Sequence, residues 1–234
     1  MEFTYKTYDR LLKLLKNQGF TSEKFTNYSS KNKLYLRHDV DILVEGVLKM
    51  AEIEINNGMN SIWFFQPNCE FYNMLSSSTL KIIKTLQEMG HWVGLHIDAS
   101  IANNLKSLIG IVNDTYRFYS KFMELEPIIS FHKPPKYVRE DFQIEGFINV
   151  YGKKYFKDIR YFSDSARKEF EEFLIESLKE DNTTSIQLLT HPVWWNYENM
   201  DLTQTWLRLL ESKKRTFLFA IREFKPYKNF KEEL

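Results

Sequence analysis

The sequence predicts an α/β fold, a distorted (β/α) barrel of about seven strands, on three observations. Short apolar runs alternate with segments of helical periodicity along the whole chain. Those runs are almost continuously hydrophobic, as parallel strands covered by helices require. Several of them end on a histidine or an aspartate, and the C-terminal strand edge is where α/β folds build their sites. An open doubly wound sheet is the alternative, but no glycine-rich phosphate loop follows the first strand. A chain of 234 residues suffices for one well-packed domain. Residues 1–234 therefore read as a single domain, with 1–33 as an N-terminal helix and polar lead-in and 34–221 as the barrel.

The elements follow in order. An amphipathic stretch at 8–16 stops at Gly19 and gives way to a polar segment at 21–33. Strand 34–41 leads to helix 43–56, ended by Asn57-Gly58, and then to strand 61–66. Helix 78–89, with Ser77 or Ser78 as N-cap, stops at Gly90 before strand 92–98. A long helical segment at 101–123 precedes strand 128–133, which Pro134-Pro135 breaks. Two short β-rich runs, 147–151 and 160–163, come before helix 166–179 and strand 185–191. A last helix at 202–210 and a strand at 216–221 complete the pattern.

Composition narrows the function. Hydrophobic residues make up 43% and charged residues 27%, the balance of a globular protein. Nineteen Phe, 13 Tyr and 5 Trp favour a large core and a surface able to stack on carbohydrate. A net charge of +1 leaves no electrostatic footprint for nucleic acid or anionic membrane, and Lys153-Lys154 and Lys213-Lys214-Arg215 read as solvated faces rather than a binding stripe. With Cys69 the single cysteine, an intrachain disulfide and a Cys-rich zinc site are both excluded, and the thiol reads as a small buried hydrophobe. The N-terminus has no signal-peptide pattern, and no run approaches the ~20 apolar residues of a membrane span. The expectation is a cytoplasmic protein, with a peripheral contact at the inner membrane face left open.

The run Arg37-His38-Asp39-Val40-Asp41 closes the first barrel strand. Strand alternation puts Asp39 and Asp41 on one face, where two ionised carboxylates repel. A metal ion that takes one as ligand relieves the repulsion and frees the other to accept a proton. Of the five histidines, His96, His132 and His191 fall at or near C-terminal ends of separate strands. His38 has the opposite parity to Asp39 and should point into the helix layer, and His91 lies at the wrong end of its strand, so both read as structural. Each site residue has a plainer alternative. The aspartate pair could cap the following loop, His96 could be a core histidine, and His132 could hold the Pro134-Pro135 turn. Asp164 reads as a carboxylate orienting a catalytic histidine or as the N-cap of the helix from Ala166. Trp194 and Trp195 read as a sugar-stacking rim or as a seal on the barrel mouth.

These motifs together resemble the polysaccharide deacetylase, or NodB-homology, superfamily (carbohydrate esterase family 4 and its relatives) over about residues 34–195. The resemblance implies a distorted (β/α) barrel and metal-dependent removal of acyl groups from amino sugars. Arg37-His38-Asp39-Val40-Asp41 resembles the first motif in its Asp-x-Asp form, as in the branch similar to sugar deformylases. That match implies Asp39 as catalytic base and Asp41 as metal ligand. Gly90-His91-Trp92-Val93-Gly94-Leu95-His96 resembles the second motif, with His96 a ligand. Phe131-His132-Lys133-Pro134-Pro135 stands at the third motif, Phe162-Ser163-Asp164-Ser165 resembles the fourth, and Leu189-Thr190-His191 the fifth, with His191 as general acid.

Two departures stand out. Ser100 occupies the position of the second motif's further histidine, and His132-Lys133 replaces the third motif's arginine. The expected repair makes His132 the third ligand beside Asp41 and His96, with Asp98 as rival, and puts Lys133 or Arg37 near the base. Two imidazoles and a carboxylate suit a divalent transition metal, Zn²⁺ best, with Fe²⁺, Co²⁺, Ni²⁺ and Mn²⁺ open. The expected substrate is an N-acetyl or N-formyl amino sugar in a lipid-linked or nucleotide-linked glycan intermediate, contacted by Trp194, Trp195, Lys133 and Arg37. The rival reading is a degenerate, non-catalytic barrel that binds a glycan or a protein partner.

Overall fold

The structure is a computed structural model, described over residues 1–42, 46–139 and 142–222. It falls into two compact units, Met1–Tyr197 and Glu198–Leu234. The first holds the sheet. Its helices and strands run α1 (Tyr5–Asn17), β1 (Thr21–Ser22), β2 (Lys33–Val40), α2 (Gly46–Asn56), β3 (Ile62–Phe65), α3 (Ser77–Glu88) and β4 (Trp92–Asp98). They continue with α4 (Leu105–Tyr119), β5 (Ile128–His132), β6 (Ile148–Asn149), α5 (Lys153–Phe156), β7 (Arg160–Ser163), α6 (Glu171–Glu180) and β8 (Ile186–Thr190). Seven strands lie in the order β6-β5-β4-β3-β2-β8-β7, and β1 adds to β2. Every pairing is parallel. This is the expected α/β distorted barrel, and among the described residues it stays open between β6 and β7.

The central strand β2 shows why the fold positions a site. All but its first residue are buried, so both faces are covered. One face carries Leu34, Leu36, His38 and Val40, and the other Tyr35, Arg37 and Asp39. His38 does point into the helix layer, where its Nε2 lies 2.6 Å from Glu54 Oε1 on α2. Arg37 and Asp39 face the barrel interior instead, which gathers polar atoms where the flanking strands end. Gly94 in β4 is required by packing, because a Cβ there would lie 2.6 Å from the Phe64 ring and 2.7 Å from the Ile128 carbonyl.

Several elements differ from expectation for local reasons. The N-cap of α3 is Ser76, one residue earlier, accepting the Thr79 N–H. The long helix at 101–123 is interrupted: Asp98 caps a 3-10 turn at Ala99–Ile101, and Asn104 then caps α4. Helix 166–179 starts late, because Ala166 and Arg167 take φ of 56° and 59°, and α6 begins at Glu171. The first residues of expected helix 43–56, residues 43–45, lie outside the described residues. Cys69 is half-buried rather than buried, with its thiol 3.2 Å from the Asp41 carbonyl oxygen.

In the second unit, α7 (Leu202–Ile221) replaces both the short last helix and the strand expected at 216–221. An Asp201–Gln204 capping box starts it. Once nucleated, a helix gains one hydrogen bond per residue fixed, which carries it through the β-favouring run Thr216-Phe217-Leu218-Phe219. No helix among the described residues is long and apolar enough to cross a membrane.

Candidate active site

Five strand ends converge at one mouth of the barrel. Asp39 closes on β2 at 2% exposure, and its Oδ2 accepts from Arg37 at 3.0 Å and from Ser130 Oγ at 3.1 Å. Its Oδ1 is buried and has no hydrogen-bond donor among the described residues. Arg37 is itself fully buried, so its role is internal rather than at a substrate surface. It donates to Tyr151 Oη at 2.8 Å and to Gln187 Oε1 at 3.1 Å, and its guanidinium lies 4.6 Å from the Tyr151 ring. Burial disfavours that charge, but Asp39 beside it more than compensates and raises the Arg37 pKa. Gln187 is fixed in turn by donating to the carbonyls of Val150 and Tyr155.

Asp41, His96 and His132 form a group able to hold a metal ion, with ligand atoms all within 4.8 Å of one another. His96 Nε2 lies 3.1 Å and His132 Nδ1 3.0 Å from Asp41 Oδ1. That oxygen is buried and yet in no aligned hydrogen bond with either ring. Burial would raise the Asp41 carboxyl, and the His132 and His96 imidazoles hold it low instead. The same contact with Asp41 raises the His132 pKa against its burial.

The proton arrangement around His96 tests the fit to a cation. Ser130 gives its one hydroxyl proton to Asp39, so it accepts from His96 Nδ1–H at 3.1 Å. In a neutral ring this leaves the His96 Nε2 lone pair facing a carboxylate oxygen. A cation between them satisfies that arrangement, and a nitrogen–oxygen donor set, with Ser130 orienting His96 from behind, is what Zn²⁺ takes. Asp98 is not in this group. Although paired in register with His132, it accepts from the Ser100 N–H at 2.9 Å and hydroxyl at 2.7 Å.

His191 closes the opposite side, its Nε2 3.8 Å from Asp41 Oδ2. Its Nδ1 lies 2.6 Å from Asp164 Oδ1. Burial disfavours the imidazolium, but Asp164 overrides it and raises the pKa to about 9. Asp164 makes no side-chain helix cap. Its Oδ2 accepts instead from Trp195 Nε1 at 2.8 Å. Trp195 is fully buried, with its ring 5.4 Å from Phe3 and 5.1 Å from Tyr8, so it supports Asp164 rather than standing on the rim. Trp194 is half-buried, and Lys133 is exposed at φ 46° directly after His132.

Ser130, Tyr151 and Gln187 went unnoticed in the sequence. Ser130 shares the parity of His132 two residues later on β5, and Gln187 is a polar interruption in an apolar strand, so both carried a weak signal. Tyr151 carried none.

These strand ends define a distorted α/β barrel whose buried carboxylates and imidazoles are gathered at one mouth. No family model matches the sequence, and no curated protein matches it. Among solved structures the chain is similar to the chitin deacetylase of the fungal pathogen Colletotrichum lindemuthianum, with a TM-score of 0.52, 16% identity, and coverage of 82% of this chain and 86% of that one. At that identity the likeness is one of fold.

Proposed function

We propose that this protein is a metal-dependent amide hydrolase that removes an N-acetyl or N-formyl group from an amino sugar, within a glycan or glycan precursor. The observation that carries the reading is the division of labour at the mouth. A carboxylate with one free buried oxygen, Asp39, flanks the Asp41/His96/His132 group, and a carboxylate-held imidazole, His191, flanks it too. The likeness of fold to a chitin deacetylase supports the substrate class.

An ion held by Asp41, His96 and His132, with Zn²⁺ the best fit, would supply Lewis-acid polarisation of the amide carbonyl and an acidified water. Asp39 accepts the proton of the attacking water at Oδ1, because Arg37 and Ser130 already occupy Oδ2. His191 is committed to Asp164 through Nδ1, so the proton for the leaving amine comes from Nε2. Trp194 and Lys133 are the substrate contacts at the rim. A non-catalytic barrel has no need of a buried Arg37–Asp39 pair, which is costly to keep dry unless something uses the carboxylate.

The test is release of acetate or formate from N-acylated amino-sugar oligosaccharides by the purified protein, beside its metal content. Activity that chelation abolishes and Zn²⁺ restores is expected. A protein that retains no transition metal after reconstitution, and binds glycan equally well in chelator, would be a binding module.

A further inference from the structure

A cavity of about 560 Å³ lies away from the mouth, within the ~300–1,000 Å³ usual for ligand sites. Its walls come from the segment before β2, from β6 and from α5. β6 pairs with Ile128 and Ile129 at the start of β5, whereas His132 ends that strand. The cavity and the mouth therefore lie at opposite ends of the sheet. None of the lining residues is among the side chains gathered at the mouth.

Its wall is aromatic. Phe25 and Tyr155 are buried with ring centroids 4.8 Å apart, and Tyr28 stands edge-on to Tyr155 at 5.5 Å. Phe147 adds a fourth ring. Tyr28 is 37% exposed, so this ring is within reach of a ligand. Lys154 Nζ lies 5.8 Å from the Tyr28 centroid and makes no hydrogen bond or ion pair among the described residues. The Tyr28 hydroxyl has no hydrogen-bond partner among them either. Lys153 and Asp158 pair at 2.5 Å, which leaves Lys154 as the lining cation without a counterion.

We propose that this cavity is an accessory binding site for a neutral, N-acylated oligosaccharide. The aromatic wall offers an apolar face to the C–H side of a pyranose. Beside it, the Tyr28 hydroxyl and the Lys154 ammonium are donors for sugar hydroxyl and acyl carbonyl oxygens. A multiply charged anion would meet a single uncompensated cation and the Asp158 carboxylate. A wholly apolar ligand would take water from Lys154 and give nothing back. The choice of an N-acylated sugar rests on the amino-sugar reading of the mouth, whereas the cavity and its wall stand apart from it.

The experiment is titration calorimetry of the full chain with the tetramer of N-acetylglucosamine, in chelator so that the probe is not hydrolysed. Lys133→Ala with Trp194→Ala, at the mouth, should leave binding at the cavity in place. Tyr28→Ala and Lys154→Gln, each added to that background, should weaken it by about fivefold or more, as the loss of one contact does. Circular dichroism checks the fold, and the exposed Lys154→Gln keeps the test open if Tyr28→Ala fails to fold. Absence of binding in the wild type or in the mouth variant would overturn the proposal. So would binding that neither added change weakens, or tighter uptake of inorganic pyrophosphate than of the tetramer. Binding at the cavity without acetate release by the Zn²⁺-loaded protein would sink the hydrolase reading alone.

Discussion

Asp164 grips His191 at two points: its Oδ1 lies 2.6 Å from the imidazole Nδ1, and its two oxygens take the His191 backbone N–H at 3.0 and 2.9 Å. The ring is thereby fixed in position and charged, with its pKa up at about 9. Because that value lies above the ordinary ~6.5 of histidine, the pair's contribution to stability is complete below that lower value and is lost as pH rises through about 9.

The same raised pKa makes a kinetic prediction. A general acid must be protonated, so the rate should fall on the alkaline side near pH 9, where His191 loses its proton. Asp164→Asn removes the charge that raises the pKa, so the alkaline limb should move to lower pH. A rate profile against pH for both proteins measures this. An unmoved limb would remove His191 from the acid role.

Asp39→Asn should leave metal content unchanged and lower the rate by roughly 10²–10⁴. The substitution keeps the size of the side chain and removes only its capacity to take a proton. Single-turnover kinetics beside elemental analysis separates this outcome from loss of the metal. Full retained activity would take the base role away from Asp39.

Much of the fold and part of the site could be read from the chain, for reasons that particular residues make clear. Strands at 92–98 and 160–163 appear as expected, because short apolar runs bounded by glycine or charged residues leave few alternatives. Strand-end position brought Asp41, His96 and His132 to one edge of the sheet, because it is a local property, but grouping them as one ligand set with Asp98 as rival came from the resemblance to the deacetylase motifs. The surroundings of Arg37 were not. Its partners Tyr151 and Gln187 stand 114 and 150 residues away and meet it only once the sheet closes. Trp195 read as a rim residue because a sequence gives no sign of which of two adjacent tryptophans turns inward. Residues 216–221 read as a strand because local β preference was weighed without the helix already running into them.

Ser130 touches two parts of the site with one hydroxyl, 3.1 Å from His96 Nδ1 and 3.1 Å from Asp39 Oδ2. Ser130→Ala should therefore weaken metal binding by about 10–100-fold, since it frees the His96 ring from its fixed tautomer. His132→Ala should lose the metal altogether, whereas Asp98→Ala should keep it. Elemental analysis and competition with a chromogenic chelator distinguish the three. Metal retained in His132→Ala but lost in Asp98→Ala would reassign the third ligand.

The last prediction concerns stability away from the mouth. Glu54 is fully buried on α2, where it faces His38 Nε2 at 2.6 Å and accepts from Tyr8 and from Ser61. His91 Nδ1 lies 3.5 Å from its second oxygen. Burial pushes the carboxyl pKa up, and His38 and His91 bring it below its ordinary value. His38 is the neighbour of both Arg37 and Asp39, so this buried cluster anchors β2 from behind the site. Glu54→Ala leaves the His38 imidazole and two hydroxyls without their carboxylate partner, and breaking a buried pair in this way costs about 3–5 kcal/mol. The denaturant midpoint at neutral pH should fall accordingly. The depressed pKa sets the sign of the pH effect: the stabilisation is complete above the ordinary ~4.3 of glutamate and is lost as pH falls through the lower folded-state value. Wild-type stability should therefore decline on the acid side more steeply than that of Glu54→Ala. Denaturation curves at neutral and acid pH measure both effects, and equal midpoints for the two proteins at neutral pH would deny Glu54 its anchoring role.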